Sequence, residues 1–410
     1  MTDTTQTPKI RFKFNSNYNQ YKLGEITQTI ERPIEMKDDS LYSLVTVKRR
    51  NEGIVKRGDF FGKDIKVKNQ FIIKSGDFLI SKRQIIHGAC EIVPESLDGS
   101  IVSNEYYVLH GKEGILLNDY LNLLSKTSLL KRYFKLACVG VDIEKMLFRI
   151  DDWNARTVLI PSLDEQQKII SFFSLINHKI EKQREKIEQL ELFKKGMLQK
   201  IFSQEIRFKD ENGKEFPNWK ETYLGDIGET YGGLSGKTKD DFGIGESYFI
   251  TYMNVFSNVV AQIEGVERVS IKENENQHKV KLGDILFTTS SETPEEVGMA
   301  SVWNYDIPDV YLNSFCFGFR LKHDVDPVFL AYMLRSSSYR KNITLMAQGS
   351  TRYNLSKTNL MKMKVHLPQK AEQEKIKLLL LKLDQKILME TEKLNELKLI
   401  KKGFMQQMFV

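Results

Sequence analysis

PSLDEQQKIISFFSLINHKIEKQREKIEQLELFKKGMLQKIFS, residues 161–203, recurs as PQKAEQEKIKLLLLKLDQKILMETEKLNELKLIKKGFMQQMFV, residues 368–410. An offset of 207 residues aligns the copies without a gap, and sixteen of the 43 positions are identical. Among them are Pro161/Pro368, Glu165/Glu372, Gln166/Gln373, Lys168/Lys375 and Lys194-Lys195-Gly196/Lys401-Lys402-Gly403. Two copies so far apart imply a duplicated lobe-plus-helix unit, not a solenoid of short repeats.

Each copy predicts a long helix. Apolar residues fall at steps of three and four in the first: Ile169, Phe173, Ile176, Ile180, Ile187, Leu190, Met197, Ile201. The second gives Ile376, Leu380, Leu383, Ile387, Leu394, Leu397, Phe404, Met408. That is an a/d seam over about five heptads, the pattern of a coiled coil. A proline opens each copy, and Glu165 and Glu372 follow in the first turn, where a carboxylate meets the positive end of the helix dipole. A helix of about 38 residues is about 57 Å long and cannot bury such a stripe alone, so its simplest partner is its own duplicate. Gln183/Glu390 and Lys194/Lys401 interrupt the seam, either as solvated positions or as polar residues that fix register. Phe172, Leu175, Leu192 and Phe193 flank it as exposed apolar residues for another protein to dock on.

The lobes repeat more faintly. Ile10-Arg11-Phe12-Lys13 returns as Ile206-Arg207-Phe208-Lys209, and Leu23-Gly24-Glu25-Ile26 as Leu224-Gly225-Asp226-Ile227. Gly76-Asp77-Phe78-Leu79 returns as Gly283-Asp284-Ile285-Leu286, each a turn into a short strand, Asp77–Ser81 and Asp284–Thr288. Further strands are expected at Tyr42–Val47, Gln70–Ile73, Tyr106–His110, Tyr248–Tyr252 and Cys316–Leu321, with helices at Asp119–Leu130 and Pro327–Ser336. The fold class is therefore α+β: two mixed lobes alternating with two long helices that pair as an antiparallel coiled coil, an internal pseudo-twofold duplication. The domains are residues 1–160, first lobe; 161–203, first helix; 204–366, second lobe; and 367–410, second helix.

Length, 410 residues, and a hydrophobic fraction of 41% suit two or three ordinary cores. No apolar run approaches a membrane span, and the polar start, with its first eight or so residues expected to be disordered, has no signal-peptide core. Cys90, Cys138 and Cys316 lack metal spacing and fit a reducing, cytoplasmic setting. The net charge of +7 is uneven. Residues 1–160 hold 25 Lys+Arg against 20 Asp+Glu, whereas residues 207–366 hold 19 against 21. Any nucleic acid the second lobe binds must be met by local clusters, not bulk charge.

Catalytic motifs fail on spacing. Gly232–Thr238 ends like a phosphate-binding loop, but Tyr231 stands where that motif needs glycine. No two prolines are adjacent, as an adenine-methyltransferase tetrapeptide would require, and the six histidines have no ligand spacing. The chain reads as non-catalytic, with no metal and no cofactor of its own. What remains are basic and polar loop clusters. In the first lobe these are Lys48-Arg49-Arg50, Lys56-Arg57 and Lys82-Arg83-Gln84; in the second, Lys237-Thr238, Thr288-Thr289-Ser290 and Arg352-Tyr353-Asn354. Arg and Gln pair bidentately with guanine and adenine edges, and Lys neutralises phosphate. Ordinary solvated charge is the alternative for each cluster.

Two variable lobes, each closed by Leu159-Ile160-Pro161…Glu165-Gln166-Gln167-Lys168-Ile169 or His366-Leu367-Pro368…Glu372-Gln373-Glu374-Lys375-Ile376, with a Leu-Gly-Asp/Glu-Ile opening, closely resemble the specificity subunit of type I restriction-modification systems, the HsdS family. The resemblance covers the whole chain. It implies that each lobe is a target recognition domain reading half of a split, asymmetric double-stranded DNA site, with the helices as a ruler. It also implies two modification subunits docked on the helices, which bind S-adenosylmethionine and methylate adenine. Restriction subunits that use ATP and magnesium would join them, with no membrane involved. The alternatives are a coiled-coil adaptor whose lobes bind proteins, separable by the steep salt dependence of DNA binding, and an orphan specificity subunit.

Overall fold

Each lobe opens on the same local device. Leu23–Ile26 and Leu224–Ile227 each form one helical turn whose leucine and isoleucine are buried. The acidic residue caps the turn: Glu25 Oε2 accepts from the Lys22 amide at 2.8 Å, and Asp226 Oδ2 from the Tyr223 amide at 3.3 Å. The glycine fits because the turn presses on the strand-preceding helix that closes the lobe. A Cβ at Gly24 would stand 3.0 Å from Asn154 Cβ, and one at Gly225 3.1 Å from Met361 O. That explains why Leu-Gly-acid-Ile is repeated where most of the lobe sequence is not.

The computed structural model describes residues 8–14 and 17–409; most of the start expected to be disordered, and Val410, lie outside them. The chain divides into two compact units, Met1–Arg184 with Glu392–Val410, and Glu185–Thr391. Each holds a lobe, the opening or closing half of one long helix, and the opposite half of the other.

In the first unit an antiparallel sheet runs in the order Thr27–Thr29, Tyr106–Gly111, Phe78–Ser81, Cys90–Ile92. In the second, Gly228–Gly232, Cys316–Leu321, Ile285–Thr288 and Ala300–Val302 take the same order. A second sheet in the first lobe holds the Leu41–Val47 and Ile54–Phe61 hairpin; its counterpart in the second lobe is the three-stranded group around Phe242–Ile250. That last strand ends at Ile250, short of the expected Tyr252, because Thr251 caps a helix over Tyr252–Ser257 by accepting from the Asn254 amide. The helix expected at Asp119–Leu130 is two, Asn118–Ser125 and Ser128–Leu136. Thr127 divides them, its hydroxyl donating to Leu124 O and accepting from the Leu130 amide. The second lobe matches with Pro327–Arg335 and Ser337–Leu345.

The repeated Gly-Asp turn buries its aspartate. Gly76 and Gly283 take φ of 86° and 85°, a left-handed conformation that admits glycine most easily. Asp77 Oδ2 accepts from Arg32 at 2.7 Å and from the Lys74 amide at 2.8 Å, and Oδ1 lies 2.5 Å from His110 Nε2. Asp284 is held by Arg320 at 2.6 and 2.9 Å, by the Tyr231 hydroxyl at 2.6 Å and by the Lys281 amide at 2.8 Å. His110 and Arg320 occupy equivalent positions on the paired strand, so the aspartate is kept while its bidentate arginine comes from the stretch after Thr27–Thr29 in one lobe and from the paired strand in the other. Burial pushes the Asp77 carboxyl up, but Arg32, the Lys74 amide and His110 outweigh it and hold it below the usual carboxylate range. A depressed folded pKa gives stabilisation that is complete above the unfolded value, about 3.9, and lost as pH falls through the folded one. The expected result is an acid limb in the first lobe's amide-exchange protection that Asp77→Asn flattens. An identical limb in the variant would remove Asp77 as its source.

The long helices span Leu163–Phe202 and Lys370–Gln407. They run antiparallel within each unit. In the first, Phe172 meets Phe404 edge-on at 4.9 Å and Phe173 meets Phe409 at 5.9 Å. In the second, Lys186 pairs with Glu390 at 2.9 Å, and Lys194 pairs with Asp384. Of the seam, Ile169, Phe173, Ile176, Ile180, Ile201, Ile376, Leu380, Leu394 and Met408 are buried. Ile187, Leu190, Met197, Leu383, Ile387, Leu397 and Phe404 are half-buried. Phe172, expected as an exposed flank, instead packs against the Phe12 and Phe404 rings. The polar interruptions at Glu390 and Lys194 are internal ion pairs. Glu390 is only 1% exposed and takes both Lys186 and Lys386, while the Lys194 ammonium also lies over the Tyr332 ring.

The identical Glu-Gln pair is a joint between lobe and helix, not merely a complement to the dipole. Glu165 is fully buried and accepts from Arg11 Nε at 2.8 Å and Nη2 at 2.6 Å; Glu372 accepts from Arg207 at 2.9 and 2.7 Å and from Trp219 Nε1 at 3.2 Å. Gln166 accepts from the Leu117 amide and donates to Ile115 O, and Gln373 accepts from the Asp326 amide. Both donate to the carbonyl of the opening proline.

Candidate nucleic-acid interface

In the first lobe, Lys48-Arg49-Arg50 turns out of the strand Leu41–Val47, with Arg50 and Asn51 in the left-handed region at φ 61° and 55°. That turn carries Arg49 to the loop after Phe78–Ser81, where its Nε donates to Gln84 Oε1 at 2.8 Å. Two clusters 35 residues apart in sequence thus share one surface. Much of their charge is already matched. Arg49 pairs with Glu144 at 2.5 Å, Lys56 with Asp59 at 2.7 Å and Arg83 with Glu105 at 2.7 Å. Lys82 lies half-buried over the Tyr107 ring at 4.1 Å, and burial pushes its pKa down. Lys48, Arg50 and Arg57 are exposed and make no side-chain hydrogen bond or ion pair among the described residues. Of the first lobe's expected cluster residues, these three are the available cations.

The second lobe places its expected residues unequally. Lys237 is corrected from a surface cation to an internal one. Its side chain is 3% exposed, and its ammonium donates to Ser270 O and Glu275 Oε1 at 2.5 and 2.7 Å. Thr238 caps the following turn through Asp241. Thr288 is buried too, because it sits on a central strand, and its hydroxyl accepts from the Met299 amide. Thr289 is half-buried and tied to its neighbours through the backbone, by Phe315 O and the Leu355 amide. Ser290 faces Asn354 and Ser291 faces Tyr353 across an antiparallel pair, so the two polar clusters form one small sheet with Ala347–Gln348. Arg352 and Asn354 are exposed on its hairpin, and Tyr353 is half-buried.

This sheet borders a cleft of about 440 Å³ whose other walls escaped sequence reading: Tyr252, Phe256, Phe315 and Glu292. The Tyr252 and Phe256 rings stack at 6.0 Å on consecutive helical turns. Their i, i+4 spacing after a threonine cap was the available signal, hidden by assigning Tyr252 to a strand. Among the described residues no group of three or more His, Cys, Asp or Glu is arranged to hold a metal, and no helix is long and apolar enough to cross a membrane.

The family model for the type I restriction modification DNA specificity domain matches twice, over residues 15–192 and 217–399. The type I restriction enzyme HindI specificity subunit of Haemophilus influenzae is 25% identical over 172 residues. That match takes in 40% of this chain and 36% of the relative's own length, so the chain aligns to about a third of that protein. Among solved structures, a chain from work on complex assembly and conformational transition of the type I R-M system superposes with a TM-score of 0.62 at 17% identity, covering 97% of this chain and 99% of that one. The HsdS subunit from Thermoanaerobacter tengcongensis gives 0.52 at 16%, covering 97% and 98%. The S subunit from M. genitalium gives 0.55 at 14%, covering 99% of each. At these identities the structural likenesses speak to the fold, while the duplicated family match spans both lobes and most of both long helices: the chain belongs to the type I restriction-modification specificity subunit family.

Proposed function

We propose that this chain is the DNA-reading subunit of a type I restriction-modification complex and that its two lobes each read one half of a bipartite, asymmetric target. The observation that carries the reading is a duplicated scaffold with unlike loops. Both lobes share strand order, Gly-Asp turn and helix joint, yet one presents Lys48, Arg50 and Arg57, and the other Arg352 and Asn354. Residues 1–160 and 204–366 act as target recognition domains, and residues 161–203 and 367–410 as the spacer between half-sites. Lys48, Arg50 and Arg57 neutralise phosphate and fix register, while Arg352 and Asn354 reach base edges.

Two modification subunits dock on the helices, and restriction subunits join them. Catalysis, with S-adenosylmethionine, ATP and magnesium, belongs to those partners. Docking uses the apolar dyads Leu192-Phe193 and Leu399-Ile400, which stand at equivalent positions of the repeat. They are 61%, 54%, 67% and 49% exposed.

Methylome sequencing of a host carrying this chain with its modification subunit, compared with a deletion, tests the reading. The expected result is one new adenine-methylated motif split by a fixed unspecified gap; no new motif from a soluble complex would overturn it. The ruler has its own test. Adding one heptad at matched positions of both helices extends each by about 10.5 Å, or about three base pairs. The gap should lengthen accordingly with both half-sites unchanged, and an altered half-site would count against modular reading.

A further inference from the structure

The cleft beside the Arg352 hairpin has a composition that the general DNA reading does not account for. Two carboxylates, Glu292 and Glu296, line the same space as Arg352. Glu296 is engaged by the Ser291 hydroxyl at 3.0 Å. Glu292 and the Arg352 side chain make no hydrogen bond or ion pair among the described residues, although they line one cleft. A cation flanked by carboxylates is a poor phosphate contact, since the acids repel the backbone that the cation attracts. An adjacent donor fork and free acceptor instead match a base-pair edge. Guanine offers O6 and N7 as acceptors, and the cytosine opposite offers its N4 amino group as a donor.

The walls are built to stay in place. Arg335, half-buried where helix Pro327–Arg335 ends, donates to the carbonyls of Val255, Phe256, Asn258 and Ala300. Arg340 donates to Glu295, Val297 and Gly298. These two guanidiniums therefore clamp both the Tyr252–Ser257 helix and the segment carrying Glu296. The hairpin is constrained as well: Gly349 has φ 137°, and a Cβ there would meet Arg352 O at 2.1 Å. Exposed Met253 and Phe315 edge the cleft with apolar surface that sheds water when a duplex seats.

We propose that this cleft reads a G·C pair in the second lobe's half-site, Arg352 donating to the guanine edge and Glu292 accepting from the cytosine amino group. The proposal rests on the DNA-reading function above and adds the identity of one base pair and the two side chains that select it. The test is selection from a randomised duplex library by the complex assembled with its modification subunits, comparing wild type with Arg352→Lys, Arg352→Ala and Glu292→Gln.

Wild type should select a split motif with a G·C pair in one half. Arg352→Ala should flatten preference at that pair by roughly ten- to hundredfold and leave the other positions sharp. Arg352→Lys, which keeps charge but loses the fork, should relax the same position with little change in overall affinity. Glu292→Gln should relax it as well. The proposal is overturned if Arg352→Ala weakens all sequences equally with a shallower salt dependence, the signature of a phosphate contact. It is also overturned if the variants leave the motif unchanged, or if the position they relax is an A·T pair. A wild-type complex that selects no motif at all would bring down the DNA-reading function itself, and is distinguishable from all of these.

Discussion

Replacing Arg207 by alanine is expected to destabilise the start of the second long helix by about 3 kcal/mol, the lower end of the cost of breaking a buried pair. The lower end applies because Arg207 is 20% exposed while its partner Glu372 is completely buried. The loss comes mainly from what is left behind: a carboxylate in the interior with only Trp219 Nε1, at 3.2 Å, to hold it. Adding Glu372→Gln to Arg207→Ala removes that orphaned charge and should recover part of the stability. Amide exchange in the helix's opening turns reports the local opening free energy without requiring the whole chain to unfold as one. Protection in Arg207→Ala equal to wild type would show that the joint contributes nothing. Arg11→Ala should act in the same way on the first lobe through Glu165, where the Tyr18 hydroxyl at 3.4 Å is the remaining side-chain donor among the described residues.

The second large effect concerns assembly. Leu192→Asp with Phe193→Asp should leave the chain folded, because both side chains are more than half exposed. Burying either on docking contributes about 1.5–3 kcal/mol, so losing both, with charges added, should weaken modification-subunit binding by at least about a hundredfold. The repeat makes the outcome countable. The Leu192/Phe193 double variant should retain one modification subunit by sedimentation, as should the Leu399→Asp, Ile400→Asp pair. All four substitutions together should retain none. Wild-type stoichiometry in the fourfold variant would eliminate the dyads as the docking surface.

Much of this architecture was legible in the chain because it is written twice. The 207-residue offset located both long helices, both Gly-Asp turns and the Glu-Gln pairs, and seam periodicity told which helix face is buried. The structure adds reasons that no pattern carries. Glu165 and Glu372 look like dipole complements in sequence, yet they are buried acceptors for arginines 154 and 165 positions earlier in the chain. His110 and Arg320 align on the paired strand, but the arginine that grips Asp77 is Arg32, from elsewhere in the lobe, so no offset aligns the two arginines.

The interface was less legible for a physical reason: a lysine or threonine in a loop has the same sequence signature whether it faces solvent or an internal acid. Lys237 and Thr288 turned inward, to Glu275 and to the Met299 amide. Conversely, Glu292 and Phe315 gave no sign of belonging to the Arg352 hairpin, because only tertiary folding brings those segments together.

The arginine–glutamate joints also bear on how such a chain tolerates exchange between relatives. Arg11 and Glu165 bracket the first lobe, and Arg207 and Glu372 bracket the second, so both halves of each joint travel with the lobe they fasten. A crossover anywhere between Glu165 and Arg207 leaves each buried carboxylate facing an arginine inherited from the same parent. Recombinants made in the first long helix therefore inherit intact fastenings, whereas a break inside a lobe separates an arginine from its own acid. The fold marks its own interchangeable cassettes.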